Sequence, residues 1–467
     1  MRKTLRISAV ALAVSAGWAL PTQASAADAA SVQEELAAMR AQMQAMAQRI
    51  DTLESELAAA NAKADAASEV ALTATETASA AKVAAEKAPP VKVAWKGAPQ
   101  IEGEGGWSFK PRGRIQIDAA SYNGPSGLSG GGNDHLGTIT EMRRAWIGAE
   151  GTMAGNVGYL LDVSVGGSSI SLADALITYK AGRKVKVMLG NQRPFTGFED
   201  MTANLYSGFM ERSSVSEAFV FERRLGLAAQ YSDKILTVQG GVFSDTLSTI
   251  SDDAARSWSM DGRVVASPRV AGGILHVGGS VHYREQGGTV VTSRYRARPF
   301  VHPTNLRLAD TGTLASDGET QLMLEAGWIS DRFYVVAESR WMKVSRPGMS
   351  NPTFNGGYVE GGYMLTDDKI AYSNAAFGRI KPRKGIDKGG IGAIQLNTRY
   401  EWLDLADAGV TGGHQQTAGL SLVWMPTSHL RFYANYGHTW VDDAVVTANG
   451  DGSYSLDTMA MRAQIDF

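Results

Sequence analysis

The last ten residues, Thr458 to Phe467, read Thr-Met-Ala-Met-Arg-Ala-Gln-Ile-Asp-Phe. The odd-numbered positions from Met459 onward are apolar, whereas the even-numbered positions include Arg462 and Asp466. This period of two predicts a strand with one apolar and one polar face. A closed barrel in a membrane needs such a strand to pair with its first strand, because hydrocarbon cannot satisfy an unpaired backbone group. A single strand of this kind would also suit the edge of a soluble sandwich.

Recurrence of the pattern favours the barrel. Sixteen segments of about ten residues share the period, and an even number of antiparallel strands can close on itself. They lie near 109–120, 141–152, 156–166, 172–181, 183–191, 223–232, 235–244, 257–266, 273–284, 319–330, 332–343, 355–365, 391–403, 414–425, 429–440 and 457–467. Tight turns alternate with long connections, which is typical of an all-β transmembrane barrel. Residues 366–390 break this alternation, because they form a long, basic connection on the side where tight turns are expected.

The two faces of the segments indicate what surrounds the barrel. In 391–403, Leu396 and Tyr400 share one parity, opposite Arg399 and Glu401. A charge that faces lipid costs on the order of 2–4 kcal/mol at the bilayer midplane. We therefore expect the arginine-bearing parity to face the lumen and the apolar parity to face outer-membrane lipid.

Residues 1–26 predict a secretory signal peptide. Arg2, Lys3 and Arg6 precede an apolar run, and residues 24–26 supply a small-residue cleavage site. Removing this segment changes the formal charge of the 467-residue chain from −2 to −5, so nucleic acid is not an expected partner. No later apolar run reaches 18 residues, which excludes a helical membrane protein. Because the chain has no cysteine, disulfides and thiolate metal sites are excluded.

Residues 27–88 predict a helical segment outside the barrel, in the periplasm. Apolar residues spaced alternately by four and three form a heptad seam, with Leu36, Met43, Ile50 and Leu57 at a and Val32, Met39, Met46 and Leu53 at d. The seam favours a parallel coiled coil over a lone Ala-rich helix, but these residues do not fix the number of helices. Pro89-Pro90 ends the helix, so residues 89–108 predict a linker before a barrel domain at 109–467.

Arg294, Arg296 and Arg298 stand at a period of two in the sequence Ser-Arg-Tyr-Arg-Ala-Arg. In an extended chain their guanidinium groups would project from one face, roughly 6–7 Å apart. Such a row of forked donors would suit the stepwise passage of an anion. A solvated basic loop gives the same spacing, so the pattern alone does not decide between them.

Several motifs together resemble the phosphate-selective porins O and P of Gram-negative outer membranes. Residues 109–116 (Phe-Lys-Pro-Arg-Gly-Arg-Ile-Gln) resemble that family's first strand, and 143–146 (Arg-Arg-Ala-Trp) resemble its second. Residues 197–199 with 209–213 (Phe-Met-Glu-Arg-Ser) resemble its inward-folding third loop, and the three arginines match its arginine ladder. The resemblance spans 109–467. It implies a trimer of sixteen-stranded barrels, preceded by a coiled coil.

The resemblance also implies pore-lining residues. Arg143, Arg144 and Arg212 would ring the constriction, with Arg114 nearby. Parity places Arg114 and Arg144 on the lumenal side of their strands, whereas Arg143 requires a strand end or a bulge. Arg224 is lumenal by the same test and is a weaker candidate.

The third loop departs from the family at Asp200 and Leu205, where phosphate-preferring members carry lysine. We expect a carboxylate at a narrow point of the pore to repel anions. Anion preference would survive this change, but tight phosphate selectivity would be weakened.

No enzyme, cofactor or metal site is predicted. Residues 127–131 fit the Gly-x-Ser-x-Gly string, but no helix follows, and His-Glu-x-x-His does not occur. The sequence predicts a passive, trimeric outer-membrane channel that prefers anions, with phosphate or a related small anion as its solute. Two alternatives remain open: a porin of the same fold for neutral solutes such as sugars, and a structural protein whose coiled coil tethers the barrel to the periplasm.

Overall fold

The structure, a computed structural model, describes residues 26–87, 91–166, 169–250, 256–288 and 291–467. The predicted signal peptide lies outside these residues, apart from Ala26. Helix α1 (Ala26–Lys87) forms one unit, and the rest of the described chain forms a second. Along the described part of α1 the seam is exposed, since Ile50 is 55% and Met43 is 60% exposed. Among the described residues, no helix is both long and apolar enough to span a membrane.

Sixteen strands form the wall of the second unit. They are β1 (Ser108–Asn123), β2 (Gly137–Met153), β3 (Val157–Ser164), β4 (Ser171–Ala181), β5 (Val185–Gln192), β6 (Arg224–Ser232), β7 (Leu236–Phe243), β8 (Trp258–Ala266), β9 (Gly273–Glu285), β10 (Gly318–Ile329), β11 (Phe333–Ser345), β12 (Thr353–Met364), β13 (Ala393–Asp407), β14 (Val410–Met425), β15 (Leu430–Asp442) and β16 (Tyr454–Asp466). Each predicted segment coincides with one of these strands, so the sixteen-stranded prediction is confirmed.

The chain end closes the barrel. β16 pairs antiparallel with β1, from Asp457 opposite Asn123 to Asp466 opposite Arg114. The Phe467 N–H donates to the Gly113 carbonyl oxygen at 3.0 Å, and the Gly113 N–H donates back at 3.2 Å. The Phe467 ring covers Gly113 so closely that a Cβ there would lie 2.5 Å from it. The absence of a side chain at residue 113 is therefore what lets the terminal ring pack on β1.

The two faces of the wall differ as predicted. In β16, Met461 is 67% exposed on the outside, whereas its neighbour Arg462 is 2% exposed inside. In β13, Tyr400 is exposed and Arg399 is buried. The apolar parity thus forms an outer belt suited to lipid, and the polar parity fills the lumen.

One end of the barrel carries short turns, and the other carries the long connections. The short turns include 154–156, 182–184, 233–235, 330–332 and 426–429, and the longest connections at the other end are 193–223 and 286–317. Helical segments within connections are Phe198–Met201, Ser214–Ala218 and Leu247–Ile250, with 3-10 turns at Glu104–Gly106, Ser129–His135 and Ile386–Lys388. Two-residue strands are Arg269–Val270, Thr292–Ser293, Arg296–Ala297, Ala309–Asp310, Leu314–Ala315, Tyr372–Ser373 and Ala376–Phe377.

The long segment at the short-turn end, 365–392, folds into the lumen. Its small hairpin carries Phe377, whose ring centroid lies 4.8 Å from that of Phe198 and 4.7 Å from that of Tyr334. Arg263 on the barrel wall donates to the Ala375 carbonyl oxygen at 2.8 Å. The exceptional length of this connection is therefore used to fill the short-turn end of the barrel.

Part of the predicted linker forms regular structure. Strands Lys92–Trp95 and Pro99–Glu102 form a hairpin, and Ile101 pairs with Phe109 of β1. The turn between them needs Gly97, which has φ +85° and contacts the His429 ring. Backbone pairing with β1 explains why the segment is ordered despite its irregular sequence pattern.

Candidate functional site

The connection at residues 193–223, here called the third loop, crosses the lumen from β5 and β6 to the opposite wall. Arg340 Nη1 on β11 donates to Asp200 Oδ2 at 2.7 Å, and Ser421 Oγ on β14 donates to the Gly208 carbonyl oxygen at 2.6 Å. Arg399 Nη1 on β13 lies 3.3 Å from Glu199 Oε1. These contacts fix the loop across the barrel and leave open space on one side of it.

That space is a cavity of about 1260 Å³, here called the arginine cavity. Its lining comes from β2 to β6, from Arg284 of β9 and Glu319 of β10, from the third loop, and from the connections that follow β7 and β9. The described lining contains eleven arginines, namely Arg143, Arg144, Arg193, Arg212, Arg223, Arg224, Arg284, Arg294, Arg296, Arg298 and Arg307. It contains four glutamates, Glu211, Glu217, Glu222 and Glu319, and neither lysine nor aspartate. The lining groups therefore carry an excess of seven positive charges.

A β-bulge places the adjacent Arg143 and Arg144 on the same side of β2. Gln116 of β1 pairs with Arg144, and the next pair joins Ile117 to Met142, so Arg143 is the extra residue. An extra residue shifts the alternation of side chains at that point. Both arginines consequently line the cavity, and of the two possibilities for Arg143, a strand end or a bulge, the structure shows the bulge.

Glu211 of the third loop holds three guanidinium groups together. Arg143 Nε and Nη2 donate to its two carboxylate oxygens at 2.8 and 3.0 Å. Arg144 Nη1 lies 3.6 Å from Glu211 Oε1, and Arg462 Nη2 lies 2.5 Å from the same atom. Burial raises the pKa of Glu211, but the charges of Arg143, Arg144 and Arg462 outweigh it and hold the pKa well below its usual range. Glu211 is therefore ionised at neutral pH.

Arg212 is directed toward the third loop as well as the cavity. It donates to the carbonyl oxygens of Glu199 and Thr202, each at 3.2 Å, and its Nε lies 3.5 Å from Asp200 Oδ1. Through these contacts Arg212 stabilises the third loop where it lines the cavity.

Asp200 does not face the cavity, so the expectation that it repels anions there is wrong. Its carboxylate is buried against Arg340 and Arg212, with Arg193 Nη1 at 3.8 Å. Burial raises the pKa of Asp200, but these arginines outweigh that effect and the pKa lies below its usual value. Leu205 is buried too. Because Arg340 lies in a distant strand, the sequence around Asp200 gave no sign of this pairing.

The stretch that carries Arg294, Arg296 and Arg298 includes a short extended segment. Arg296–Ala297 pairs with Ala309–Asp310, and the intervening Tyr295 and Ala297 are buried. Arg294 Nε and Nη2 donate to Asp310 at 2.8 and 2.6 Å. Arg298 donates to Glu217 and, at 2.9 Å, to the Thr304 carbonyl oxygen. All three arginines line the cavity.

The remaining two predicted residues differ in position. Arg224 is buried in the wall at the start of β6 and lines the cavity. Arg114 lies outside the cavity lining: its Nη1 donates to Asn204 Oδ1 at 2.7 Å, and its guanidinium lies 4.3 Å from the centroid of the Trp146 ring. Arg114 therefore supports the third loop from β1 instead of lining the cavity.

Four further arginines, which the sequence analysis did not single out, also line the cavity. Arg284 alternates with Tyr283 along β9, so the parity test that selected Arg224 would also have found it. Arg223 immediately precedes β6 and binds Asp174 through two contacts of 2.8 and 2.9 Å. Arg193 and Arg307 lie in connections, where no periodic pattern identifies them.

A closed sixteen-stranded barrel with an inward-folded loop and a charged lumenal cavity defines a porin-type channel of the outer membrane. The chain belongs to the phosphate-selective porin O and P family, whose model matches residues 109–467. This confirms the resemblance found in the sequence. Family and fold together indicate a channel and not an enzyme.

Individual relatives agree with this assignment. An uncharacterised protein of Caulobacter vibrioides is 39% identical over 98% of this chain and 96% of its own length. Porin O of Pseudomonas aeruginosa is 25% identical over 65% of this chain and 74% of its own length.

Solved structures are similar in fold. OmpT, an outer membrane protein of Vibrio cholerae, gives a TM-score of 0.52 at 12% identity, covering 78% of this chain and 99% of its own. An anion-selective porin from Comamonas acidovorans gives a TM-score of 0.50 at 13% identity, covering 77% of this chain and all of its own. At these identities the similarity concerns the barrel alone.

Proposed function

We propose that the protein is a passive outer-membrane diffusion channel that prefers anions, with phosphate or a related small oxyanion as its solute. The observation that carries the proposal is the composition of the arginine cavity, which has eleven guanidinium groups against four carboxylates. Charges of one sign on low-dielectric walls focus the field and raise the local concentration of the opposite ion. Anions would therefore enter in preference to cations.

Guanidinium groups also suit oxyanions chemically. Each presents forked N–H donors that match two oxygens of a phosphate-like anion. Arg294, Arg296 and Arg298 place three guanidinium groups along the cavity instead of at one point, and Arg294 and Arg298 share their donors with Asp310 and Glu217. Distributed binding lets an ion exchange its hydration shell gradually and leave again, which is what a diffusion channel requires.

The names of related proteins support the same solute class. The matching family is described as phosphate-selective, and the Comamonas acidovorans barrel is described as anion-selective. The ion pairs of the cavity, such as Arg294 with Asp310, reduce its field, which favours the alternative of a pore for neutral solutes.

Reversal potentials separate these two functions. The purified full-length protein would be inserted in planar bilayers under a gradient of potassium chloride, then of potassium phosphate and of salts of larger anions. In each salt we expect a reversal potential whose sign shows that anions permeate more readily than cations. We also expect phosphate to block the chloride current. A reversal potential near zero, without phosphate block, would favour the neutral-solute pore. The absence of any current would favour the structural tether.

For assembly we propose a homotrimer whose α1 helices form a parallel coiled coil in the periplasm. The number three follows the family resemblance. The parallel orientation rests on charges that flank the seam: Glu35 and Arg49 occupy g positions, and Arg40 and Glu54 occupy the e positions five residues later. None of the four has an opposite charge three or four residues away on its own helix. In a parallel, in-register coil, Glu35 would meet Arg40 and Arg49 would meet Glu54 of the neighbouring copy.

A further inference from the structure

The hairpin at residues 92–102, here called the N-terminal hairpin, completes the barrel wall beside the chain end. β16 ends along β1 where Phe467 and Gly113 exchange hydrogen bonds. Nearer the start of β1, Ile101 of the hairpin lies opposite Phe109, on the edge of β1 that β2 does not use. The hairpin therefore occupies the place that β16 leaves empty, and its outer face continues the outer face of the wall.

This outer face is apolar and strongly exposed. Val93 lies opposite Ile101 and Trp95 lies opposite Pro99, and the side chains of opposite residues share one face of a sheet. Val93 is 67% exposed and Trp95 is 76% exposed, whereas Trp341 in the outer belt of β11 is 37% exposed. Adjacent large apolar side chains with this exposure indicate an interaction surface.

A groove on the neighbouring strands belongs to the same outer face. It has a volume of about 440 Å³ and crosses β14, β15, β16 and β1. Its lining includes the small residues Ala119, Ala434 and Ala463 beside the larger Trp424 and Phe432. An apolar depression in the wall of a barrel is suited to receive protruding side chains of another protein.

The length of the chain between α1 and the hairpin indicates what covers this face. In the proposed trimer the α1 helices surround a threefold axis, and packed helices lie about 8–10 Å apart. Only four residues separate Lys87, at the end of α1, from Lys92 of the hairpin, which limits the distance between these two to about 18 Å. Each hairpin must then lie within about 25 Å of the axis. A sixteen-stranded barrel is about 30 Å across, so the hairpin is on the side of its barrel that faces the other copies.

We propose that the N-terminal hairpin and the adjoining groove form the contact surface between neighbouring barrels, with Trp95 as its main anchor. This inference rests on the proposed homotrimer. The partner is a second copy of this chain, because the short connection to α1 brings three identical hairpins together around one axis. Aromatic side chains that become buried at the centre of an interface contribute most to binding, which suits Trp95.

Photocrosslinking identifies the partner directly. Trp95→p-benzoylphenylalanine in the full-length protein, reconstituted in phospholipid vesicles and irradiated, should give covalently linked pairs of copies. Mass spectrometry should place the link on the hairpin or the groove strands of the neighbouring copy. Trp341→p-benzoylphenylalanine is the control on β11 and should link no second copy. The proposal is overturned if residue 95 links only lipid, or if residues 95 and 341 link copies equally.

The half-life of the trimer in detergent provides a second test that does not depend on the probe. Trp95→Ser should shorten it about tenfold or more, as expected for the loss of an interface anchor. Ala434→Phe fills the groove and should shorten it severalfold if a neighbour packs there, whereas lipid or detergent would accept the larger apolar side chain.

Matched controls lie on the outer face of β11. Trp341→Ser and Ala337→Phe should leave the half-life within about twofold of the wild type. Every variant should keep the heat-modifiable mobility of a folded barrel, which separates a lost contact from misfolding. Wild-type half-lives for both Trp95→Ser and Ala434→Phe would overturn the proposed surface while the trimer stands. A wild-type protein that is monomeric would overturn the homotrimer itself.

Discussion

Arg340 Nη1 on β11 lies 2.7 Å from Asp200 Oδ2 in the third loop, and both side chains are buried. The two residues are 140 positions apart in the sequence, and the pair joins the third loop to the wall strand β11. Together with the contact between Arg399 and Glu199, it makes the position of the third loop depend on the far wall. The shape of the arginine cavity depends on this anchor.

Replacing Asp200 by asparagine should loosen the third loop without changing the sign of ion preference. The variant leaves a buried guanidinium without its closest partner, a change that costs up to about 3–5 kcal/mol. We expect noisier single-channel current and a lower temperature for the heat-modifiable shift in gel mobility. Asp367→Asn, which breaks an exposed pair with Arg383, serves as the control and should alter neither. A sharper anion preference with wild-type noise would mean that Asp200 faces the pore.

The ion pairs that Asp200 and Glu211 of the third loop form with neighbouring arginines should also persist in mildly acidic solution. Burial raises the pKa values of Asp200 and Glu211, but neighbouring arginines outweigh it, so both pKa values lie below their usual range. A carboxylate whose pKa is lowered in the folded state stabilises the fold above its unfolded pKa, about 4, and loses that effect as the pH falls through its folded pKa. The contribution of Asp200 and Glu211 to holding the loop should therefore be constant from about pH 7 to about pH 5 and be lost only below about pH 4. Between pH 7 and pH 5 the difference in current noise between the wild type and Asp200→Asn should stay constant, and a difference that disappears in this range would contradict the prediction.

The wall of the barrel was predictable because polar and apolar residues alternate along each strand, and this alternation shows which side chains face the lumen and which face the lipid. Alternation in β13 and β16 gave the strands and their faces, and the adjacent Arg143 and Arg144 gave the bulge. The loops carry no such period. The pairing of Asp200 with Arg340 and the inward fold of 365–392 depend on contacts between distant segments, which one sequence does not display.

A single cysteine in α1 would test the coiled coil, because the chain has none of its own. Ile50→Cys at an a position should give disulfide-linked dimers of the full-length protein on oxidation. Ser55→Cys, at the outward f position, is the control and should not cross-link. Glu35→Arg should reduce cross-linking at residue 50, and adding Arg40→Glu should restore it. Equal cross-linking at residues 50 and 55 would argue against the seam.

A charge placed on the closing strand should impair insertion of the barrel. Phe467 is 44% exposed on the outer face and packs on Gly113 of β1. Phe467→Asp places a charge in the outer belt at the strand junction and should reduce the yield of inserted barrel severalfold, while the conductance of each inserted channel stays normal. Phe467→Leu keeps an apolar side chain and should insert nearly normally. Normal insertion of the aspartate variant would remove the role assigned to the terminal ring.

For the site, the residue type was more predictable than the role of each residue. Seven of the eight predicted arginines line the cavity. Arg144 and Arg224 were visible from lumenal parity and the ladder from its period of two, whereas Arg143 and Arg212 came from the family resemblance. Which of them are compensated was not visible, since partners such as Glu217 and Asp310 come from other segments.

The most direct test of the account is the reversal potential of the triple variant Arg294→Gln, Arg296→Gln, Arg298→Gln, compared with the wild type under the same potassium chloride gradient. Removing three positive charges also leaves Asp310 and Glu217 without their closest guanidinium partners, so the field in the cavity should fall sharply. We predict a shift of the reversal potential from the anion-preferring sign toward zero or the cation-preferring sign, with weaker phosphate block. A triple variant that keeps the wild-type reversal potential and phosphate sensitivity would contradict the central claim that these arginines select the ion.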